Sequence, residues 1–248
     1  DLKKQDYRKF EVIIVDGCSE DKTEQIAKKA GLPLKFLTCS KHNVSLQRNL
    51  GANNASGRYL VFLDADTRIN RLFLKKLERI IQKKKGLIFI PKLITREHDP
   101  LYEAIFNLIN FIIEISQHLN KPISSGGSMV CEKHFFQLIG GFEKDLFLGE
   151  DHHLVQKARL WGVRAVFLEE IEIFFNLRRI KQEGELVSFY KMIHSTAHML
   201  VQGKVKRKLF DYEMGGLRYN QHLTDSYLKR EIRQYSKKIN FFIKKTLF

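Results

Sequence analysis

Cysteine is scarce in this chain: three among 248 residues, at Cys18, Cys39 and Cys131. They stand far apart and are odd in number. That argues against a disulfide framework and a four-cysteine zinc site, and fits a reducing compartment. Acidic residues are also short, 28 against 43 Lys and Arg, for a formal net charge of +15. The imbalance is uneven: residues 178–248 hold 16 basic and 6 acidic side chains, while residues 1–177 hold 27 and 22. A near-balanced body with a basic tail region points to an anionic partner (phosphate, nucleic acid or an anionic membrane face) or to a solvated helical face. Long apolar runs are missing. The best span candidate, residues 101–119, is interrupted by Glu103, Asn107, Asn110 and Glu114 and reads as a buried or interfacial helix. The opening Asp1-Leu2-Lys3-Lys4 is unlike a signal peptide. No internal repeat or low-complexity segment is visible, and a chain of this length buries a core without staples.

What is present is an alternation of short apolar strands with amphipathic helices. Residues 10–15, FEVIIV, form a β-branched run followed by the polar turn Asp16–Glu20. Asp21 with Glu24 fits a helix capping box, and Gly31 stops that helix. Strands are expected over 34–38, 59–63, 87–90, 128–131 and 163–168, with helices over 45–55, 70–84 and 101–119 and from Glu150 to about Gly162. The pattern predicts a mostly parallel sheet flanked by helices. Beyond residue 177 only helical patterns appear. The expected organisation is a domain over 1–177 and a basic helical extension over 178–248.

In open parallel sheets, ligands bind beyond the carboxyl ends of the strands. Asp16 ends one strand there, and Asp64 and Asp66 end another. Continuing the strand period of two would aim Asp64 and Asp66 to one side. Two carboxylates presented together suit a hard divalent cation, Mg²⁺ or Mn²⁺, with phosphate oxygens completing its shell. His152 and His153 diverge by about 100° on a helix and do not share a metal, so they read as surface histidines or as supports for nearby groups.

Taken together, several segments resemble the family-two glycosyltransferases of the GT-A fold, a Rossmann-like α/β architecture. Residues 11–23, EVIIVDGCSEDKT, resemble that family's EVIIVDDGSTDGT. The likeness continues in 47–52 (QRNLGA), 56–66 (SGRYLVFLDAD), 140–142 (GGF) and 149–154 (GEDHHL), all in the family's order and covering roughly residues 1–180. The resemblance implies an inverting, metal-dependent, hexosyltransferase-like enzyme. Asp16, Arg48, Asp64, Arg178 and Arg179 would bind the nucleotide and its diphosphate. Asp64 and Asp66 would hold Mg²⁺ or Mn²⁺. Asp151 would be the general base, and Gly126, Gly127 and Glu150 would line the sugar and acceptor site. The implied partners are a nucleotide-sugar donor, UDP-linked by default, and a glycan or polyprenyl-phosphate-type acceptor, with peripheral membrane contact. The implied setting is cell-envelope polysaccharide assembly in the cytoplasm, at the inner face of the membrane.

The sequence departs from the family pattern in three places. Gly17 stands where the family has a second Asp. No Gln-x-x-Arg-Trp motif is present, which argues against a processive synthase; the only tryptophan is Trp161. The family's opening strand and Pro-x-Tyr/Phe-Asn-Glu loop have no counterpart before Lys3, and residues 1–10 resemble the end of the helix that follows that loop. A strand inside the sheet is therefore expected to be missing from this chain. Two rival readings use the same residues. Asp64-Ala65-Asp66-Thr67 also resembles the haloacid-dehalogenase phosphatases, with Asp64 as nucleophile and Asp66 as acid. The basic residues also suit a non-catalytic module for nucleic acid or anionic membrane, although no helix-turn-helix, RNA-recognition or zinc-finger pattern is visible and nucleic acid is not the expected partner.

Overall fold

A computed structural model describes residues 1–125 and 128–184, together with residues 188, 191, 192, 194–196, 198 and 205. The chain divides into two compact units, residues 1–176 with 204–207, and residues 177–203 with 208–248. In the first unit the strands are β1 (Ile13–Asp16), β2 (Lys35–Thr38), β3 (Tyr59–Phe62), β4 (Arg68–Ile69), β5 (Ile88–Ile94), β6 (Met129–Glu132) and β7 (Val166–Phe174). The helices between them are α1 (Thr23–Lys28), α2 (Val44–Asn54), α3 (Phe73–Lys84), α4 (Pro100–Ser116), α5 (Lys133–Leu138) and α6 (Glu150–Leu160).

β1 and β2 form a parallel pair, and five strands form a second sheet in the order β3-β6-β5-β7-β4. β5 and β7 are parallel, whereas β6 is antiparallel to both β3 and β5, and β4 to β7. β3, β5 and β7 thus share a direction, as the alternation predicts. The neighbours in this sheet are more often antiparallel because β6 enters between β3 and β5. Its four residues are all buried, and Met129, Val130 and Cys131 show no exposure. One aromatic cluster packs on this sheet: Phe62 of β3, Phe136 and Phe142 meet with centroids 5.0–5.4 Å apart. Tilted and edge-on ring pairs of this kind add to the stabilisation from buried area.

The sheet is split between β1 and β3. The two strands run in the same sense. At their starts, one Glu11 carboxylate oxygen accepts from the Ser56 and Gly57 amides at 2.6 and 2.9 Å. At their ends, Gly17 abuts the Gln47 amide group and Asp64 is held by Arg48, both in the first half of α2. Among the described residues, β1 pairs only with β2 and β3 only with β6. The facing edges line a cavity of about 1680 Å³.

Two local expectations change. Asp21 caps no box: its carboxylate accepts from the Thr23 amide and hydroxyl at 2.9 and 2.5 Å, and Glu24 pairs with Lys28 instead. An Asx turn one residue earlier has taken the capping oxygen. In α4, the Asn110 that interrupts the apolar run is its anchor. The Asn110 side chain accepts from the Leu93 amide at 2.9 Å and donates to the Leu93 carbonyl at 2.7 Å, so a buried amide is fully paired against β5. The opposite stripe of α4 leaves Leu101, Leu108, Phe111, Ile112 and Ile115 exposed. Among the described residues no helix is long and apolar enough to cross a membrane.

In the second unit, α7 (Arg178–Glu183) is followed by local contacts. Lys191 lies 3.4 Å from Glu183, and the Ser195 hydroxyl donates to the Lys191 carbonyl at 2.6 Å.

Candidate active site

The site begins with α2. Asn43 accepts from the Leu46 amide at 2.9 Å and starts the helix, so Gln47 and Arg48 project from its first two turns. The next residue, Asn49, clamps Phe142: its side chain accepts from the Phe142 amide at 2.9 Å and donates to the Phe142 carbonyl at 2.8 Å. This clamp needs Gly141. Its φ is +58°, and a Cβ there would lie 2.6 Å from the Asn49 side-chain oxygen. Lys157 of α6 donates to the Gly141 carbonyl, which ties α6 to the same turn.

Arg48 lies with its guanidinium carbon 5.4 Å from the Phe142 ring centroid. Its two terminal nitrogens reach different segments: one donates to Asp64 at 2.6 Å, the other to Glu150 at 2.7 Å. The side chains of Arg48 and Glu150 are 11% and 13% exposed, whereas that of Asp64 is 39% exposed. One cation therefore joins the end of β3 to the start of α6. In this state its fork is spent on protein carboxylates, although the resemblance assigned it to the nucleotide.

Asp64 and Asp66 are presented by a turn. β3 ends at Phe62, and the Asp64 carbonyl accepts from the Thr67 amide and hydroxyl at 3.1 and 2.7 Å. The period-two expectation for this pair therefore does not apply, because the pleat stops before Asp64. Asp66 is exposed. The pair fits a hard cation by its donor set: two carboxylates, one exposed and the other keeping an oxygen outside the Arg48 bond. No group of three or more His, Cys, Asp or Glu that could hold a metal exists among the described residues, so substrate and water oxygens would complete the shell.

Glu150 and Asp151 open α6 behind Gly149, whose φ of +79° turns the chain into the helix. Burial and the adjacent Asp151 push the Glu150 carboxyl up, against the pull of Arg48. Asp151 is 3% exposed. Burial alone would raise its pKa, but the His152 imidazole at 3.2 Å and the Arg48 charge outweigh it and hold the carboxyl well below the usual range. For His152, burial lowers the pKa and is outweighed by Asp151 and Glu150, so the imidazole is pushed up. The same His152 Nδ1 lies 3.3 Å from the Ser124 amide. Asp16 closes the turn after β1, its two oxygens accepting from the Ser19 amide and hydroxyl at 2.8 and 2.5 Å.

The structure thus brings Arg48, Asp64, Glu150 and Asp151 into one cluster, and Gly17, the residue after Asp16, abuts Gln47. Gly126 and Gly127 lie outside the described residues; of their neighbours, the Ser125 hydroxyl donates to the Ser128 carbonyl at 3.0 Å. Arg178 is exposed and, with Arg179, belongs to the second unit. Sequence reasoning missed the double engagement of Arg48 and the placement of His152 between Asp151 and Ser124. The partners are 102 and 28 residues apart, so no local pattern marks them.

The profile described as glycosyl transferase family 2 matches residues 1–139. The chain belongs to glycosyl transferase family 2. That membership sets aside the phosphatase reading of Asp64 and Asp66. GlyA, a glycosyltransferase of Streptococcus pneumoniae, is 24% identical over 193 residues, which cover 71% of this chain and 27% of GlyA. Among solved structures, the Pyrobaculum calidifontis mannosyltransferase PcManGT, in complex with GDP-Man and Mn²⁺, superposes with a TM-score of 0.59. It is 19% identical, over 82% of this chain and 64% of that one. Residues 1–349 of Staphylococcus aureus TarS, in complex with UDP-GlcNAc, superpose with a TM-score of 0.58. The identity is 18%, over 94% of this chain and 67% of that one. The chain thus spans about a quarter of GlyA, and its architecture is the GT-A fold.

Proposed function

We propose that this chain transfers a sugar, with inversion, from a nucleoside diphosphate donor to a hydroxyl acceptor. The observation that carries the reading is Arg48, whose 2.6 and 2.7 Å bonds draw the strand-end carboxylate Asp64 and the α6 carboxylate Glu150 to one guanidinium. A donor site at Asp64 and Asp66 would then face a base at Asp151 across a short distance.

In this reading, Asp16 binds the nucleoside. Asp64 and Asp66 would hold Mg²⁺ or Mn²⁺. When bound, that ion neutralises charge on the diphosphate as it leaves. Asp151 takes the acceptor hydroxyl proton while the oxygen bonds to the anomeric carbon. The bond from that carbon to the diphosphate oxygen breaks on the opposite face, and the nucleoside diphosphate departs with the electron pair. Glu150, Gly126 and Gly127 shape the acceptor side. UDP-sugars are the first donors to test, since TarS was solved with UDP-GlcNAc; the GDP-Man bound to PcManGT makes GDP-sugars the second. A glycan or lipid-phosphate acceptor at an anionic membrane face suits the 16 basic residues against 6 acidic in 178–248.

The test is transfer of radiolabelled sugar from a panel of nucleotide sugars with Mn²⁺, to glycan and polyprenyl-phosphate acceptors. The expected outcome is transfer that is abolished by chelation and by Asp151→Asn. Undiminished transfer by that variant would refute the base, and undiminished transfer in chelator would refute the metal pair. Salt-sensitive binding of a DNA oligomer with no response to any nucleotide sugar would favour the non-catalytic module.

A further inference from the structure

His152 Nδ1 has two neighbours that make opposite demands on it. It lies 3.2 Å from a carboxylate oxygen of Asp151 and 3.3 Å from the amide nitrogen of Ser124. A carboxylate oxygen only accepts, so a bond to Asp151 requires a proton on Nδ1. The Ser124 amide only donates, so a bond to it requires the bare lone pair. One nitrogen cannot satisfy both at once. The site is enclosed: Asp151 is 3% exposed, Ser124 5%, and the His152 side chain 12%. Water is therefore poorly placed to relieve the partner left out. The charged groups around the imidazole are Asp151 and Glu150 on its own helix and, from α2, Arg48, which is bonded to Glu150 and acts on the Asp151 charge.

We propose that His152 is a positioning residue that arms and disarms Asp151: protonated, it pairs with the carboxylate and quenches it as a base; neutral, it turns its lone pair to the Ser124 amide and leaves the carboxylate to the acceptor hydroxyl. The proposal rests on the reading of Asp151 as base, and it adds an element that reading lacks. A buried carboxylate paired to a cation is a poor proton acceptor, and releasing that cation restores its basicity. Burial opposes charge on the imidazole, but the two acids prevail and push its titration above the ordinary histidine range of about 6.5. The switch therefore operates above the pH at which an ordinary histidine titrates, and the proton exchanged is one taken from or given to water.

Two measurements on the full chain test this. The first is the pH profile of kcat/KM for sugar transfer. Wild type should lose activity tenfold per pH unit on the acid side, the slope of one proton, with the break above about 6.5. The H152Q variant should lose that limb and keep a nearly level profile from about pH 6 to 8. The second needs no turnover. In a histidine-labelled chain, the His152 ring resonance, assigned by its absence from H152Q, should titrate above the ordinary range, and the Ser124 amide shift should move with the same midpoint. In D151N the ring midpoint should fall by about one unit or more. An acid limb unchanged in H152Q, or a ring titration unmoved by D151N, overturns the proposal. Should H152Q fail to fold, the shared midpoint of His152 and Ser124 in wild type and D151N decides it: a Ser124 amide blind to the His152 titration overturns it. An inactive wild type whose ring and amide still titrate together would sink the base reading while upholding the exchange of partners at Nδ1.

Discussion

Replacing Arg48 by methionine removes the guanidinium that lies over Phe142 and keeps only an apolar stem. Two ion pairs disappear, and they are not equal. The Asp64 side chain is 39% exposed, so solvent takes over its charge and that half of the loss should cost about 0–1 kcal/mol. Glu150 is 13% exposed and would be left charged and buried, a situation that costs about 3–5 kcal/mol. Stability of R48M should therefore fall by about 3–5 kcal/mol at pH 7.5. The loss should also depend on pH. Burial and Asp151 already push Glu150 up, and without Arg48 nothing comparable holds it down. A carboxyl whose folded pKa exceeds its unfolded pKa contributes fully below the unfolded value, and that contribution is lost as pH rises. The deficit relative to wild type should then grow by about 1.4 kcal/mol per pH unit once pH exceeds the already raised wild-type pKa of Glu150, until the still higher pKa in R48M is passed. Urea unfolding followed by the single Trp161, which stands in the first unit just after α6, reads this out at pH 5 and 7.5. R48M/E150Q should recover most of the loss, because a neutral amide tolerates burial better than an unpaired charge. A cost under about 1 kcal/mol, equal at both pH values and indifferent to the second substitution, would refute the idea that Arg48 joins the two halves of the site.

Further outcomes are expected. G141A should lose about 1–2 kcal/mol for its left-handed backbone and about 1 kcal/mol for the displaced Asn49 bond, read as a fall in Tm; an unchanged Tm would show that the turn relaxes freely. E11Q should lower stability above the usual glutamate pKa of about 4.3, with the gap to wild type closing as pH falls. The reason is that Ser56 and Gly57 hold the Glu11 carboxyl below its ordinary value despite the opposing effect of burial. A thermal-melt series from pH 3 to 7 checks the direction. D66N should weaken Mn²⁺ binding in the presence of UDP by at least about 10-fold, measured by calorimetry, since losing even an outer-shell partner of a metal ligand costs about 10–100-fold and a direct carboxylate donor should cost no less. Retained affinity would remove Asp66 from the cation site.

The alternation of strand and helix was readable because burial imposes its period on local sequence. β1, α2, β3, α3 and α6 all fall within a few residues of where apolar spacing and stop signals place them. Acids at the ends of β1 and β3 were readable for the same reason: an apolar run that halts at aspartate marks a strand end. The family motifs add order to these signals, and the profile over 1–139 agrees with them.

Other features depended on pairs far apart in the chain. β6 sits between β3 and β5 because its fully buried residues complete a core, and nothing within Met129–Glu132 says which edges it will meet. Asp64 and Asp66 were expected to share a face by strand pleating, but hydrogen bonds from Thr67 to the Asp64 carbonyl end the pleat first. Arg48 is one of 43 basic residues in the sequence. Only packing on Phe142 and the meeting of α2, β3 and α6 select it to hold two carboxylates. Local sequence thus determined the elements and the acids they carry, since periodicity and turn chemistry act over a few residues. Tertiary structure decided which charges neutralise one another and which nitrogen faces which oxygen, because burial and Coulomb energy depend on distance in space.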